Sequence, residues 1–268
     1  MNGELIKFRQ NEIYEYIKKR NVSTIEGISE GLLMSQSTVR RDLRQLAAEQ
    51  KIVMFHGGVS ANVGDEPFTE RKIKHSREKE AIGAYAARLV AAGEMIYIGG
   101  GSSAYAFADA LSRRRDLEDV TVVSAAINIA NCFVKTAGVR AIVTGGVLTA
   151  SDESMTSQMT LLALAAFNFK KAFLGVQGIT RERGYTLPNM GLAELKKTVI
   201  AHTEKLVLLC DHTKFGRIGT YNICPIERVD VVVSEAREGC AAQYAELKAA
   251  GVKLIFCDKQ YKKRPQDD

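Results

Sequence analysis

Seven short runs rich in valine, isoleucine and leucine, at 95–98, 120–124, 140–144, 172–176, 206–210, 229–233 and 253–256, punctuate the last two thirds of this chain. Between most of them lie stretches of helical periodicity, at 104–111, 127–135, 155–167, 192–203 and 240–250. Strands separated by helices rather than tight turns predict a mainly parallel sheet covered on both faces. Such sheets gather ligands at the carboxyl ends of their strands. There the sequence places its glycines and hydroxyls. Gly99-Gly100-Gly101-Ser102-Ser103 follows the first run and opens a helix, so backbone N–H groups, two hydroxyls and the positive helix end can converge on an anion such as a phosphate. The motif is neither a P-loop nor GxGxxG, and taken alone it also fits a tight strand-to-helix turn with no ligand. Gly145-Gly146 and Asp211-His212-Thr213-Lys214-Phe215-Gly216 follow two further runs. Lys214 supplies a cation and Asp211 an acceptor, the pair needed to hold a phosphorylated polyol. The loop GVQGITRERG, 175–184, is expected to close over the pocket, with Lys196 on the next helix.

The first 60 residues follow a different plan. On a helix begun by Ser35 as N-cap, Val39, Leu43 and Leu46 fall on one apolar stripe that must pack inward. Ser37, Arg41 and Arg44 then point outward, flanked by Gln36, Thr38 and Arg40. That ridge is about one major groove wide, and an arginine fork matches phosphate oxygens or the O6/N7 edge of guanine. A merely solvated face is the alternative reading of any such arginine pair. Its setting argues otherwise. Phe8, Ile13 and Ile17 predict a helix over 6–19, and a capping box at Ser23 and Glu26 predicts a second over 24–32. After a tight turn at 33–34 comes the arginine helix, the helix-turn-helix plan. Residues 51–60, KIVMFHGGVS, read as a small hairpin, a wing beside the groove.

Residues 9–60 resemble the winged helix-turn-helix of DeoR-type bacterial regulators. The signature is Ser35, then Thr38-Val39-Arg40-Arg41-Asp42-Leu43, then His56-Gly57-Gly58. The resemblance implies DNA contacts from Ser37, Thr38, Arg40 and Arg41; the helical wheel independently selects Ser37 and Arg41. Asp42 is expected to orient a neighbouring arginine or the wing, since phosphate repels an anion. His56 either reaches a phosphate or packs in the wing. Residues 68–258 resemble the sensor domain of the same family, which shares its fold with ribose-phosphate isomerases and binds sugar phosphates. The likeness is closest at Asp211 to Gly216, where Asp-x-Ser/Thr-Lys-Phe-Gly is met in full, and Lys196 matches a basic position. It implies an effector site at Gly100, Gly101, Ser102, Ser103, Ser124, Gly145, Gly146, Lys196, Asp211 and Lys214. Four positions depart from the family pattern: Gly99, Ala125, Leu192 and Lys170 stand where an acid, an amide and two acids are expected. Anion binding is therefore expected with altered polyol selectivity.

The whole is expected to divide into a winged helix-turn-helix at 1–60, a linker at 61–74 and an α/β sensor at 75–268. A chain of 268 residues with 46% hydrophobic content can build both cores. The net charge of +6 suits a polyanionic partner, yet residues 1–60 hold nine Lys+Arg against seven Asp+Glu, so placement outweighs the sum. Five scattered cysteines without a CxxC suggest neither a zinc site nor disulfides. No apolar h-region or span of about 18 residues is present, which with reduced thiols predicts a cytoplasmic protein. No metal or cofactor is called for.

Two functions compete. One is a repressor of a sugar catabolic operon, bound to double-stranded operator DNA as a homodimer or homotetramer and relieved by a phosphorylated sugar. The other is a sugar-phosphate isomerase- or deaminase-like enzyme with an accessory DNA-binding module. Enolisation needs a base over the substrate carbon, and the site offers only Asp211 and His212 where further acids are missing, so sensing is preferred. A regulator with an impaired sensor is the third alternative.

Overall fold

The computed structural model describes residues 2–20, 22–49, 51–55, 58–61, 68–149 and 153–257. Helix α1 (Asn2–Arg20), strand β1 (Val22–Ser23), helices α2 (Ile25–Gly31) and α3 (Gln36–Ala48), and strands β2 (Ile52–Phe55) and β3 (Gly58–Ala61) build a small winged domain. Most of the periodic residues close one core: Ile13 and Ile17 of α1, Ile28 of α2, and Val39, Leu43 and Leu46 of α3 are buried, with Ile52 and Val59 of the wing beneath them, whereas Phe8 is exposed. Each such side chain contributes about 1.5–3 kcal/mol. The wing is a three-stranded antiparallel sheet, because β1 joins β3 beside β2. Thr24, not Ser23, caps α2; its hydroxyl accepts from the Gly27 N–H at 3.0 Å, while Ser23 is taken up by β1.

Helices α4 (Phe68–Ile73) and α5 (Ser76–Ala87) lead into the larger domain. Strands β4 (Met95–Ile98), β5 (Val120–Ser124) and β6 (Val139–Val143) alternate with α6 (Ser102–Ser112) and α7 (Ile127–Asn131). A short hairpin, β7 (Leu148–Thr149) and β8 (Ser154–Met155), precedes α8 (Gln158–Ala165) and β9 (Phe169–Gly175). Then come β10 (Gly178–Thr180), β11 (Gly184–Leu187), α9 (Met190–Ala201), β12 (Thr203–Leu209), β13 (Tyr221–Cys224), β14 (Val231–Ser234), α10 (Ala241–Ala249) and β15 (Lys253–Phe256).

The seven expected strands form one sheet in the order β15-β14-β12-β9-β4-β5-β6, with every pairing parallel. Alternation along each strand feeds two cores, as the pleat requires. Tyr97, Ala172, Leu206 and Leu208 meet α8, α9 and α10 on one face. Ile96, Ile98, Phe173, Val207 and Leu209 meet α5, α6 and α7 on the other.

Two expectations change. Residues 175–184 are no open loop: β10 and β11 form a hairpin that β13 extends into a second, antiparallel sheet. In α8, Thr160 and Leu164 face inward while Met159 and Leu162 are 66% and 65% exposed. The segment read as linker contains α4, which packs on α6 through an edge-to-face contact of Phe68 with Tyr105 and through Lys72 over the same ring.

Candidate functional site

On α3 the stripe is buried and the ridge is free. Gln36, Ser37, Arg40, Arg41 and Arg44 are exposed and Thr38 half-buried. Ser35 turns inward on its own helix, its hydroxyl accepting the Thr38 N–H at 3.2 Å and lying 3.0 Å from the Ser37 hydroxyl, so it orders the helix start. Asp42, 1% exposed, accepts from Arg9 Nε at 2.5 Å and Arg9 Nη2 at 3.0 Å, and Arg41 Nε lies 4.0 Å away. Asp42 thus bolts α1 to α3. The sequence reading named a neighbouring arginine or the wing as its partner; the close contact is to Arg9 on α1, 33 positions away, with neighbouring Arg41 only at 4.0 Å. His56 lies outside the described residues.

A cavity of about 240 Å³ opens at the carboxyl ends of β4, β9 and β12. Gly100, Gly101, Ser102, Ser103, Lys196, Asp211 and Lys214 of the sequence-derived site all line it. Gly101 adopts φ +106, a conformation glycine alone takes easily, and a Cβ there would stand 3.6 Å from an Arg71 guanidinium nitrogen. The guanidinium therefore lies against the Gly-Ser loop at the start of α6. Among the described residues, seven cations line the cavity, Lys18, Arg71, Lys74, Lys79, Lys196, Lys214 and Arg217, with His75, against the carboxylate of Asp211.

Burial of this charge is unusual. Arg71, Lys79 and Lys196 are 9%, 5% and 4% exposed. Lys79 Nζ donates to the Arg71 and Lys74 carbonyls, clamping the turn where His75 has φ 53. Lys196 Nζ donates to the Gly175 carbonyl at 3.2 Å. Burial pulls the Lys214 ammonium below its ordinary range; Asp211 opposes this, and Arg217 and Arg71 add to it. For Asp211, burial works against ionisation, but Lys214, the Thr213 hydroxyl and Lys79 outweigh it and hold the carboxyl below its usual range. A cavity with such an excess of desolvated positive charge gains most from an anion.

Three residues of the sequence-derived site lie elsewhere, each with internal work. Ser124 is buried, donating to the Ile98 carbonyl at 2.7 Å and accepting from the Ala126 N–H at 3.0 Å. The Gly145 carbonyl accepts from the Thr160 hydroxyl at 2.8 Å. Gly146, at φ +127, leaves no room for a Cβ, which would fall 2.0 Å from that hydroxyl. Of the four departures, Leu192 lines the cavity and gives it an apolar wall with Leu187 and Val176. Ala125 is core, a Cβ at Gly99 would face Leu174 at 3.0 Å, and Lys170 is exposed in a pair with Glu204. Lys18, Arg71, Lys74, His75, Lys79 and Arg217 were missed as lining; the charged run EPFTERKIKHSREK at 66–79 holds four of them, and Arg217 directly follows the Asp211 to Gly216 motif.

Residues 9–63 match the family model described as the DeoR-like helix-turn-helix domain, and residues 74–236 that of the DeoR C terminal sensor domain. This chain belongs to the DeoR family. Among curated relatives of this DeoR-family protein, the HTH-type transcriptional regulator GolR of Listeria innocua is 31% identical over 93% of this chain and 98% of its own length. The glycerol-3-phosphate regulon repressor of Escherichia coli K12 is 29% identical over 85% and 90%. Among solved structures, ribose 5-phosphate isomerase A of Methanocaldococcus jannaschii aligns over 53% of this chain and 55% of its own, at 18% identity and a TM-score of 0.40. This DeoR-family protein is a DNA-binding transcriptional regulator, and no helix of its described residues is long and apolar enough to cross a membrane.

Proposed function

We propose that this regulator represses a sugar or sugar-phosphate catabolic operon in the cytoplasm and is relieved by a phosphorylated sugar or a related anionic metabolite held in the cavity. The observation that carries the reading is the cavity's charge: among the described residues, seven cations and one carboxylate converge where a parallel sheet offers its strand ends. The Gly100–Ser103 loop and the start of α6 would take the phosphate, with Arg71, Lys196 and Lys214 around it. Leu187, Val176 and Leu192 would face the rest of the molecule, favouring a body with fewer hydroxyl contacts than a simple polyol. The relative named for the glycerol-3-phosphate regulon supports the effector class.

Ser37, Thr38, Arg40, Arg41 and Arg44, with Gln36, would meet double-stranded operator DNA in the major groove, and Ser35 would set the helix start. Two copies of the chain would present two such helices to half-sites about one turn apart. Turnover is disfavoured. Asp211 is occupied by Thr213 and held ionised beside Lys214, and the His212 Nδ1 is taken by Glu235, so both groups read as candidate bases are engaged. Incubating the protein with ribose 5-phosphate and measuring ketose formation tests this; turnover above background would restore the enzyme reading. Operator binding in the presence and absence of sugar phosphates tests the regulator reading.

A further inference from the structure

Lys18 belongs to α1 of the DNA-reading domain, yet it lines the same cavity as Lys196 and Lys214 of the sensor. We propose that the effector is held between the two domains, with Lys18 as a ligand contact supplied by the reader, so that the anion itself fixes the reader on the sensor. The inference rests on the anion cavity described above and adds the means by which its occupancy reaches the DNA.

Lys18 is 43% exposed, and its only ion pair among the described residues is a loose one of 3.7 Å to Glu15 on the same helix. Across the cavity it faces, among the described residues, buried cations and the Asp211 carboxylate, which Lys214 and Thr213 already engage. Lys18 carries the same charge as those cations, and an anion placed between them attracts them all, so its arrival favours docking of α1. A ligand that touches both domains has different affinities for the docked and undocked arrangements, which is the condition for shifting between them, and docking must raise ligand affinity by the same factor. The joint is built for this. Helix α4 is anchored on α6 by Phe68 and Lys72 against Tyr105, and Arg71 from α4 lies at the Gly101 loop. In the docked arrangement Arg41 stays 70% exposed, so the ligand sets the direction of the recognition helix and does not cover it.

The test uses the full chain, glycerol 3-phosphate and inorganic phosphate as probes, and calorimetric affinities alongside the ratio of operator Kd with and without probe. Lys18→Ala is expected to weaken probe binding up to about fivefold, as for a partly exposed ion pair, and to bring the operator ratio toward one. Lys18→Arg is expected to keep both. Lys214→Ala serves as the control for the cavity. If Lys214→Ala is impaired while Lys18→Ala keeps either the wild-type affinity or the wild-type ratio, the bridging role is overturned and the cavity stands. If the wild-type chain binds neither probe, or Lys214→Ala binds as well as wild type, the cavity reading falls and the bridge with it.

Discussion

Arg41 and Lys196 carry the same charge in opposite circumstances. The Arg41 side chain is 70% exposed on a helix whose other face is packed core; Lys196 is 4% exposed, donates to the Gly175 carbonyl and shares a cavity with six other cations. An exposed arginine costs little to keep, is screened by salt and acts when a polyanion is brought to it. A buried lysine is desolvated before any ligand arrives, and the fold holds it in place against its neighbours' repulsion. The first kind suits a surface that must slide along DNA; the second suits a cavity whose charge is already in place for one small anion.

The sharpest separation of the two regions comes from the core beneath the reader. Leu43→Ala removes a wholly buried side chain from the small cluster under α3 and should destabilise that domain by about 2–5 kcal/mol. In calorimetry the reader should melt earlier while the sensor transition holds; a shift of both together would mean the domains fold as one unit. Next, Lys214→Ala should cost roughly 2 kcal/mol of anion affinity, the worth of a hydrogen bond to a charged group, and leave operator binding without effector unchanged. Arg41→Ala should do the reverse, costing ~1–3 kcal/mol of operator affinity if its fork meets a base and sparing anion binding. Equal effects of either variant on both activities would dissolve the distinction between the sites.

Salt and pH should then divide them more finely. Raising salt should weaken operator binding steeply, and Arg44→Ala should reduce the slope by about one if Arg44 meets a phosphate, whereas anion binding in the cavity should respond weakly. On pH the sign follows from Lys214. Its pKa is lowered below 10.5, chiefly by burial, so the cation is lost as pH rises, and sooner than for an ordinary lysine. Anion affinity should therefore fall on the alkaline side from below pH 10.5 while operator binding through arginines stays level. An anion affinity that rises over that range would exclude Lys214 from the site.

Much of this was written in local pattern. Val39, Leu43 and Leu46 announced their buried stripe at helical spacing, and the runs from 95–98 to 253–256 announced the sheet, because both depend on periodicities that a one-dimensional reading preserves. Gly100 to Ser103, Asp211 and Lys214 were legible because strand ends are where such sheets bind. What escaped the sequence was convergence. Arg71, Lys74 and His75 reach the cavity only because α4 docks on α6 through Phe68 and Tyr105, a contact between residues 37 positions apart. Lys18 reaches it from another domain altogether. Ser124, marked by the family resemblance, and Gly145 and Gly146, marked by their strand end, do not line the cavity, and their hydrogen bonds and tight backbone serve the fold.

The central claim is that occupancy of the cavity controls the arginine helix. Fluorescence anisotropy on DNA from the region beside the protein's own gene, at fixed salt, with a panel of phosphorylated sugars and with Lys214→Ala in parallel, tests it most directly. The account predicts that at least one compound shifts specific operator affinity in the wild-type chain, leaves binding to competitor DNA alone, and does nothing in Lys214→Ala. A shift of equal size in Lys214→Ala, or no specific DNA binding at all, would contradict it.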